Sequence, residues 1–415
     1  MASDEPPIAL DDSQKEIIGA LQQSDEALCC IRARSGATQG TLFQLEFLSK
    51  GAANVVFRCR PSPSSPSIRS PLLEIVRVNG ESNAVRPVSN DLVHQMVLRI
   101  PRGMPKCLTG EQIMDGFLHH IVPLFTTSAY RTPNRHATEV PRSGVQRRCS
   151  AREDLSKHLM EHQLVALFPE VVEPLLEDEE HGLVCNSSHL PHEARLAILL
   201  PDLSSCPGSS LTLEIKPKWL AQSPDAPGNA VRCRTCAMQI VNPKNRDTYI
   251  CPLRLLEDDY DDLYGWVHGA VATLCQDPTN GFSAPVGNDG IVRLARATTT
   301  YLTNGDGRTL LQHLKQLQCR LDPGGVLQQP PTDSVQSFSH DLRLAMTLRD
   351  CSLFINISYN ESWEPGVIIS KLADLDFKSA EKIPDWAEKE ARLADEGAYT
   401  SKVEDHVDCW LMRQK

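Results

Sequence analysis

The chain has 415 residues, too many for one small domain and enough for two lobes of ordinary size. Its net charge of −11 argues against general binding to nucleic acid or anionic membranes, although a local group of lysines and arginines can still bind an anion. No apolar run approaches the length that crosses a bilayer, and the acidic start MASDEPPIALDD is wrong for a signal peptide. We therefore expect an intracellular protein of the nucleus or cytoplasm, with mostly reduced, buried cysteines.

The first half of the chain is predicted to form an antiparallel sheet with a helix beside it. Apolar patterns predict two strands within 41–59 around a turn at 49–53, strands at 95–99 and 195–200, and a helix over 110–122. Residues 126–153 carry six arginines and few acids, so they form either a solvated loop or a basic flap over an anionic ligand. The loop 201–210 is the predicted boundary between two lobes, residues 1–200 and 201–415.

The second half is predicted to contain a small sheet and several helices, which makes the fold class α+β. The predicted elements are a strand at 210–217, helices at 263–274, 309–318 and 339–348, a hairpin of strands 351–358 and 366–373, and a charged helix within 387–405. We find no internal repeat in the sequence.

The segment LTLEIKPK, residues 211–218, gathers charged groups at the end of a strand. In an extended chain Glu214, Lys216 and Lys218 face the side opposite the apolar residues. Pro217 cannot donate to a central sheet ladder, so the strand should end or reach a sheet edge there. The segment is either a solvent-facing strand with a surface ion pair or one wall of a ligand site beside a hinge.

Two aspartates flank the predicted hairpin. Asp350 precedes its first strand, Asp374 follows its second, and antiparallel pairing about residues 362–363 puts position 350 opposite 375. Two carboxylates so close are costly unless a cation or a proton lies between them. A metal ion with a carboxylate base is what phosphoryl transfer needs, whereas the alternative is a pair of turn-capping aspartates. In a continued extended run, Asp376 shares the face of Asp374 and could join the metal ligands.

Lys378 and Lys382 are four residues apart, and Trp386 is four residues further on. On one helix the two lysines would share a face, either as a basic stripe beside the aspartates or as a solvated helix surface. Pro384 argues against the same helix continuing to Trp386.

A predicted turn between two strands consists of Gly51, Ala52, Ala53 and Asn54. Backbone N–H groups of such a turn can approach nucleotide phosphates, although the Gly-Lys-Ser/Thr ending of a Walker A loop is absent. Arg99, at the end of its own strand, is placed where a cation could reach the same phosphates. The alternative is an ordinary hairpin turn.

Four cysteines form a candidate metal site. Cys233 and Cys236 are a Cys-x-x-Cys pair, with Cys206 upstream and Cys251 downstream. Four thiols can hold a tetrahedral Zn²⁺ ion. Because the spacing outside the pair is irregular, reduced and unbound thiols are the alternative.

Several of these segments resemble the inositol-pentakisphosphate 2-kinase family. The most specific are EIKPK at 214–218, MTLRDCSLFI at 346–355 and LADLDFK at 372–378; the others are GAANVVFRC at 51–59, VLRI at 97–100, RCRTCAMQ at 232–239, CPLRLL at 251–256 and DPTN at 277–280. The resemblance implies a two-lobed, kinase-like fold with an antiparallel sheet and helices in each lobe and ATP in the cleft between them. It also implies transfer of the ATP γ-phosphate to the axial 2-hydroxyl of inositol 1,3,4,5,6-pentakisphosphate, which gives inositol hexakisphosphate (phytate).

The resemblance assigns residues 1–200 to an ATP-binding lobe and 201–415 to a lobe that binds inositol phosphate and carries the catalytic group. Asp350 would activate the hydroxyl, and Asp374, with Asp376, would bind Mg²⁺. The residues that would hold ATP are Gly51, Ala52, Ala53, Asn54, Arg99 and Glu214. The residues that would hold the inositol phosphates are Arg152, Lys216, Lys218, Asn280, Lys378, Lys382 and Trp386. We expect a monomer that acts on a small molecule and binds neither nucleic acid nor membranes.

The sequence differs from the family's pattern in one substrate-binding motif, and two other functions are alternatives. The family's Met-His-Gln triplet reads Ala237-Met238-Gln239 here, with Lys244 nearby, so the detailed phosphate preference is open. A kinase of less phosphorylated inositols or of proteins is less well supported, because the Pro-x-x-x-Asp-x-Lys-x-Gly and His-Arg-Asp motifs are absent. A catalytically silent scaffold that binds inositol polyphosphates would keep the lysines without needing Asp350 or Asp374.

Overall fold

The structure is a computed structural model that describes residues 28–34, 41–61, 71–78, 85–87, 91–104, 107–126, 154–177, 195–243, 249–277, 286–328, 335–401 and 407–414. The chain divides into two compact units, the first formed by Met1–Gly116 with Met160–Asp202 and the second by Phe117–Leu159 with Leu203–Lys415. The division after Asp202 lies close to the predicted boundary. Residues 117–159, in contrast, belong to the second unit, although the prediction had placed them in the first lobe.

Seven strands of the first unit close into a barrel in the order β1-β7-β8-β6-β3-β2-β4, and β4 pairs with β1. The strands of this unit are β1 (Leu28–Ala33), β2 (Leu42–Lys50), β3 (Asn54–Pro61), β4 (Leu73–Val78), β5 (Val85–Pro87), β6 (Met96–Pro101), β7 (Gln163–Leu167) and β8 (Arg195–Pro201). β5 extends the sheet from β4, and β1 pairs with β7 in parallel. The α+β class is confirmed, whereas the closure of the sheet and its parallel pair were not predicted.

Alternating apolar side chains form the core of the barrel. On β3, Val55, Phe57 and Cys59 are buried, while Arg58 is half-buried and Arg60 is exposed. This is the period-two pattern of a strand with one face toward a core. The helix that follows β6 packs closely on β8, since a Cβ atom at Gly110 would lie 2.6 Å from the carbonyl oxygen of Leu196.

The second unit contains a three-stranded antiparallel sheet in the order β11-β10-β9. These strands are β9 (Ser210–Ile215), β10 (Ser352–Tyr359) and β11 (Pro365–Ala373). Leu211, Leu213 and Ile215 face the core, so the alternation predicted for LTLEIKPK is confirmed. Helices cover the core face of this sheet.

The described helices begin with α1 (Gly110–Gly116), α2 (Val122–Phe125), α3 (Pro169–Glu177), α4 (Arg234–Val241) and α5 (Tyr260–Gln276), and continue with α6 (Asn288–Asn304), α7 (Asp306–Leu321), α8 (Val335–Leu348), α9 (Ile383–Asp395) and α10 (Trp410–Arg413). The predicted helices at 263–274, 309–318 and 339–348 lie within α5, α7 and α8, whereas α6 was missed. A π-helical turn at Phe117–Ile121 separates α1 from α2. Within the described ranges, no helix is long and apolar enough to span a bilayer.

Candidate active site

The ends of three strands meet at one edge of the three-stranded sheet. Ile215, the last residue of β9, pairs with Leu353 near the start of β10. Ser352, the first residue of β10, pairs with Ala373 at the end of β11. This pairing confirms the predicted hairpin register, because its continuation places position 350 opposite 375. The segments that carry Glu214, Asp350 and Asp374 therefore leave the sheet side by side.

Asp350 is held by two lysines. Lys218 Nζ lies 3.0 Å from Asp350 Oδ1, and Lys378 Nζ lies 2.7 Å from Asp350 Oδ2. Burial raises the pKa of Asp350, but the charges of Lys378 and Lys218 and their hydrogen bonds outweigh burial and lower the pKa to about 2. Asp350 is therefore a carboxylate at neutral pH and can accept a proton from a hydroxyl group.

A second cluster is centred on the buried hydroxyl of Ser352. Lys216 Nζ donates to Ser352 Oγ over 2.7 Å, and the hydroxyl lies 2.8 Å from Glu214 Oε1 and 2.9 Å from Asp374 Oδ2. Lys216 Nζ also lies 2.8 Å from Glu214 Oε1 and 3.8 Å from Asp374 Oδ2. Burial lowers the pKa of Lys216, but Glu214 and the charge of Asp374 outweigh it and raise the pKa, so the amine stays charged.

Two of the charged residues adopt a backbone conformation that side chains usually avoid. Lys218 has φ of 48° and Asp374 has φ of 57°, both in the left-handed region. This conformation costs a non-glycine residue on the order of 1 kcal/mol. It persists where surrounding contacts fix the chain, and such positions cluster at ligand sites. Here it turns both segments sharply at the ends of their strands.

Helix α8 holds the segment that follows β11. Arg343 Nε donates to the carbonyl oxygen of Lys378 over 2.6 Å, and the Lys378 N–H donates to Thr347 Oγ1 over 3.1 Å. The Arg343 guanidinium also lies 4.0 Å from the centre of the Phe377 ring. Asp376 is half-buried in this segment, two residues beyond Asp374. These contacts fix the backbone from which Lys378 reaches Asp350.

The predicted lysine stripe is wrong in its geometry. Lys378 lies in an irregular segment ahead of the short 3-10 helix Ala380–Lys382, so Lys378 and Lys382 share no helix face. Lys382 is exposed where α9 begins, and Pro384 occupies the first turn of α9, a position that suits proline. Trp386 is buried among apolar side chains, which include Trp219 and Met346, as a core residue would be. The structure thus places Trp386 in an apolar cluster, and its contact with the substrate stays a prediction.

Two buried side chains that were not predicted, Gln318 and Arg349, support the Lys218 and Asp350 segments on the core side. Gln318 Nε2 donates to the carbonyl oxygens of Lys218 over 2.8 Å and of Leu348 over 3.3 Å. The guanidinium of Arg349 lies 3.5 Å from the centre of the Trp219 ring. Since Trp219 follows Lys218 and Arg349 precedes Asp350, both braces join the same two segments.

In the first unit, the predicted nucleotide turn joins β2 to β3. Its ends are linked by the Gly51 N–H, which donates to the carbonyl oxygen of Asn54 over 2.8 Å. Arg102 Nη1 donates to the carbonyl oxygens of Gly51 over 3.2 Å and of Ala52 over 3.1 Å, and the Arg102 N–H donates to that of Ala53. With its amide oxygen facing the guanidinium, Asn54 accepts from Arg99 Nη2 over 2.6 Å. Arg102 was not predicted as part of this group.

Some predicted residues lie outside the described part of the chain. They are Arg152, Lys244, Asn280 and nearly all of the arginine-rich segment 126–153.

Four buried cysteines converge in the second unit: Cys233, Cys236, Cys251 and Cys409, whose Sγ atoms all lie within 4.8 Å of one another. The predicted set was wrong in one member, because Cys206 is exposed in a turn closed by its own pairing with Ser210. Cys409 takes that place from a distant part of the sequence. The donor set of four thiols is that of a structural Zn²⁺ site.

Comparison with known proteins identifies the family. A family model described as inositol-pentakisphosphate 2-kinase matches residues 47–392, which is most of the chain. The chain belongs to the inositol-pentakisphosphate 2-kinase family. The inositol-pentakisphosphate 2-kinase of Yarrowia lipolytica is 32% identical over 193 residues, which cover 46% of this chain and 54% of the relative. That of Debaryomyces hansenii is 26% identical over 219 residues, which cover 48% of this chain and 53% of the relative.

The chain thus spans about half the length of these relatives in the aligned segments. The family match contains the whole carboxylate and lysine cluster of the second unit, including Asp350 and Asp374, and the turn beside Arg102. Three of the four converging cysteines lie within the match, whereas Cys409 lies beyond its end.

Proposed function

We propose that the protein is an ATP-dependent inositol-pentakisphosphate 2-kinase. It transfers the γ-phosphate of ATP to the axial 2-hydroxyl of inositol 1,3,4,5,6-pentakisphosphate and produces inositol hexakisphosphate. The observation that carries this proposal is the convergence of Asp350 and Asp374 with three lysines at one sheet edge, in a chain of this family. Carboxylates for a proton and a metal, next to cations for phosphates, are the groups that phosphoryl transfer uses.

In this proposal, Asp350 accepts the proton of the 2-hydroxyl as the phosphoryl group is transferred. A carboxylate with a pKa of about 2 is a weak base, because its two lysine partners stabilise its charge. Phosphates of the substrate compete for the amines of Lys218 and Lys378. As the lysines turn to the phosphates, Asp350 loses this stabilisation and becomes a stronger base. Substrate binding thereby prepares the group that activates the substrate.

Asp374 is the proposed Mg²⁺ ligand, and Asp376 is a second candidate in the same segment. Mg²⁺ held by these carboxylates would neutralise charge on the phosphate oxygens of ATP. Glu214 holds the nucleotide ribose, and Ser352 sets the positions of Glu214 and Asp374 because its hydroxyl contacts both carboxylates. In the barrel unit, Arg99 and the turn from Gly51 to Asn54 hold the ATP phosphates.

The remaining substrate contacts come from lysines. Lys216, Lys218 and Lys378 are the proposed ligands of the inositol phosphates that the described cluster supplies, and exposed Lys382 is a further one. Arg152 and Asn280, named from the sequence, complete the proposed set. The proposal includes one Zn²⁺ ion, because four buried cysteine sulfurs that converge are its usual structural ligands.

The proposal is tested by incubating the purified protein with inositol pentakisphosphate, Mg²⁺ and ATP and separating the products by anion exchange. We expect inositol hexakisphosphate and ADP in equal amounts. Asp350→Ala should abolish turnover and leave binding of inositol phosphate intact, since the lysines remain. Glu361→Ala, in the exposed hairpin loop, is the matched control and should be fully active.

Each contrary result has a definite meaning. Full activity of Asp350→Ala would remove this residue from the reaction. Tight binding of inositol polyphosphate with no ATP turnover by the natural sequence would favour a silent scaffold over a kinase. Turnover of less phosphorylated inositols alone would keep the reaction and change the substrate.

A further inference from the structure

Two histidines from distant parts of the sequence meet in the second unit. His120 lies in the π-helical turn Phe117–Ile121, and His340 lies on α8. His340 Nε2 is 3.4 Å from His120 Nδ1, and both side chains are half-buried. The proposed phosphoryl transfer assigns no role to either ring, so the pair calls for an account of its own.

The geometry of the pair suits a shared metal ion. Two imidazole nitrogens bound about 2.05 Å from one tetrahedral Zn²⁺ lie about 3.3 Å apart, and their ring centres lie about 5.2 Å apart. A linear N–H···N hydrogen bond over the observed 3.4 Å would instead separate the ring centres by about 5.7 Å. The ring centres are 5.1 Å apart, so the two rings are inclined to each other as two ligands of one ion are.

A carboxylate orients one of the two rings. His340 Nδ1 lies 3.3 Å from Asp341 Oδ1. When the Nδ1–H faces this carboxylate, the lone pair of Nε2 is directed toward His120. Histidines that bind metals usually donate their other ring N–H to such a partner, which fixes the tautomer and the orientation of the ring. Asp341 therefore supports His340 as a ligand.

The backbone at His120 is also unusual. Residues 117–121 form a π-helical turn between α1 and α2. Turns of this kind are rare and occur frequently at functional sites. Here the turn carries the side chain that meets His340, which is a second reason to assign the pair a role in binding.

We infer that His120 and His340 form a second metal site, which binds a transition-metal ion such as Zn²⁺ and thereby restrains the segment around Phe377. Among the described residues, the cysteine cluster is the only group of three or more converging His, Cys, Asp or Glu donors, so water or a small ligand would complete the coordination of this ion. The side chain of His340 is 41% exposed, which leaves access for such a ligand. Imidazole suits Zn²⁺, Cu²⁺ and Ni²⁺, whereas Mg²⁺ prefers oxygen, so this site differs in chemistry from the proposed Mg²⁺ ligands.

Binding at the pair would act on the segment that carries Lys378. The ring of Phe377, the preceding residue, lies 4.4 Å from the ring of His120 and 5.5 Å from that of His340, measured between centres. On its other contact, the Arg343 guanidinium lies 4.0 Å from the centre of the same ring. Because Phe377 is only 8% exposed, an ion that fixes both imidazoles would hold this side chain and its backbone more firmly.

Calorimetric titration with Zn²⁺ tests the ligand set. The full chain is first given one equivalent of Zn²⁺ for the cysteine cluster, and we expect one further ion to bind with micromolar affinity. His120→Gln and His340→Gln should each weaken this second ion by at least about 100-fold and keep the first, and Asp341→Asn should weaken it by about 10-fold. His119→Gln is the matched control, because His119 is the exposed neighbour in the same turn, and its affinity should be unchanged.

Hydrogen exchange tests the consequence. With the second ion bound, exchange in residues 376–379 should slow by about 10-fold in the natural protein and stay unchanged in His340→Gln. Binding of no second ion, equal affinity in the natural protein and in both histidine variants, or equal slowing in His340→Gln would overturn the inference. A cysteine cluster that takes no zinc would leave the test intact, since the ion lost in the histidine variants identifies the site. Neither measurement depends on turnover, so an inactive protein that passes both would refute only the kinase proposal.

Discussion

Gln318 should be needed for both stability and turnover, although it is remote from any ligand in the proposed site. Its side chain on α7 is only 1% exposed. Gln318 Nε2 donates to the carbonyl oxygens of Lys218 and Leu348, and Gln318 Oε1 accepts from the Leu220 N–H over 2.9 Å. One amide therefore ties the strand end that carries Lys218 to the residue just ahead of the Arg349–Asp350 pair.

Gln318→Met keeps the volume of the side chain and removes all three hydrogen bonds. At about 1 kcal/mol net for each buried hydrogen bond, and less for the 3.3 Å bond to Leu348, the free energy of unfolding should fall by about 2–3 kcal/mol. In a domain of this size, each kcal/mol lowers Tm by about 2–4 °C, so we expect a decrease of about 5–10 °C. Gln318→Glu should be worse, because its carboxylate would face two carbonyl oxygens.

Urea unfolding and calorimetry measure the first effect, and steady-state kinetics measure the second. With the Lys218 and Asp350 segments no longer held together, kcat should fall by about 10-fold while the KM for ATP stays within about 2-fold. Gln316→Met on the exposed face of the same helix is the matched control and should change neither quantity. If Gln318→Met unfolds within about 0.5 kcal/mol of the natural protein, the amide does not brace the site and the reasoning fails.

Three more predictions concern single groups. Ser352→Ala removes the hydroxyl between Lys216, Glu214 and Asp374, and kcat should fall by about 10-fold with little change in Tm; an unaltered kcat would contradict this. Folding lowers the pKa of Asp350 from 3.8 to about 2, which at 1.36 kcal/mol per pKa unit corresponds to about 2.4 kcal/mol of stabilisation. Because the carboxylate is 53% exposed, solvent screening reduces this stabilisation to about 1 kcal/mol. A lowered pKa stabilises the fold at pH values above the unfolded pKa near 4, and this stabilisation is lost as the pH falls through the folded pKa of about 2. Asp350→Asn should therefore cost about 1 kcal/mol in urea unfolding at pH 7 and only a small part of that at pH 2. Arg102→Gln loosens the turn at Gly51 and should raise the KM for ATP by about 5-fold in steady-state assays, with the KM for the inositol substrate unchanged.

The hairpin that carries Asp350 and Asp374 could be predicted because all of its determinants are local. The two apolar segments lie on either side of a short polar loop, and the loop fixes the register of the strands that it joins. Ser352↔Ala373 pairing then follows from the midpoint of the loop. The same logic placed Glu214 and Lys216 on one side of β9, but it could not indicate Ser352, because a serine at the start of a strand has many ordinary roles.

Features that depend on distant pairings were missed. The barrel closes through β1, β4 and β7, whose partners lie far away along the chain, and a closing pair leaves no local pattern. Cys206 was predicted as a zinc ligand because it is near Cys233 in sequence, whereas Cys409, far from the other three, fills the position in space. A Cys-x-x-Cys pair indicates two ligands and says nothing about where the others come from.

The predicted stripe of Lys378 and Lys382 failed for a different reason. Pro384 was treated as a helix breaker between Lys382 and Trp386, but proline suits the first turn of a helix and marks where α9 begins. The preceding residues are therefore outside the helix. Lys378 therefore lies outside α9, in a segment held by Arg343, and its side chain reaches Asp350. A helix that placed Lys378 beside Lys382 would not predict this contact.

The described charges at the sheet edge balance one another, and under the proposed function this balance explains how an acidic protein would take up a polyanion. Three ammonium groups face three carboxylates: Lys216, Lys218 and Lys378 against Glu214, Asp350 and Asp374. Phosphates that draw the lysines away leave carboxylates without cations, which is costly unless a metal ion replaces the ammonium groups. A metal ion bound first would repel the lysines toward the phosphates in the same way. Each ligand therefore lowers the cost of binding the other, and by linkage the effect must be reciprocal. Under the proposed function, these ion pairs thus favour simultaneous binding of phosphate and metal, the state from which a phosphoryl group would be transferred.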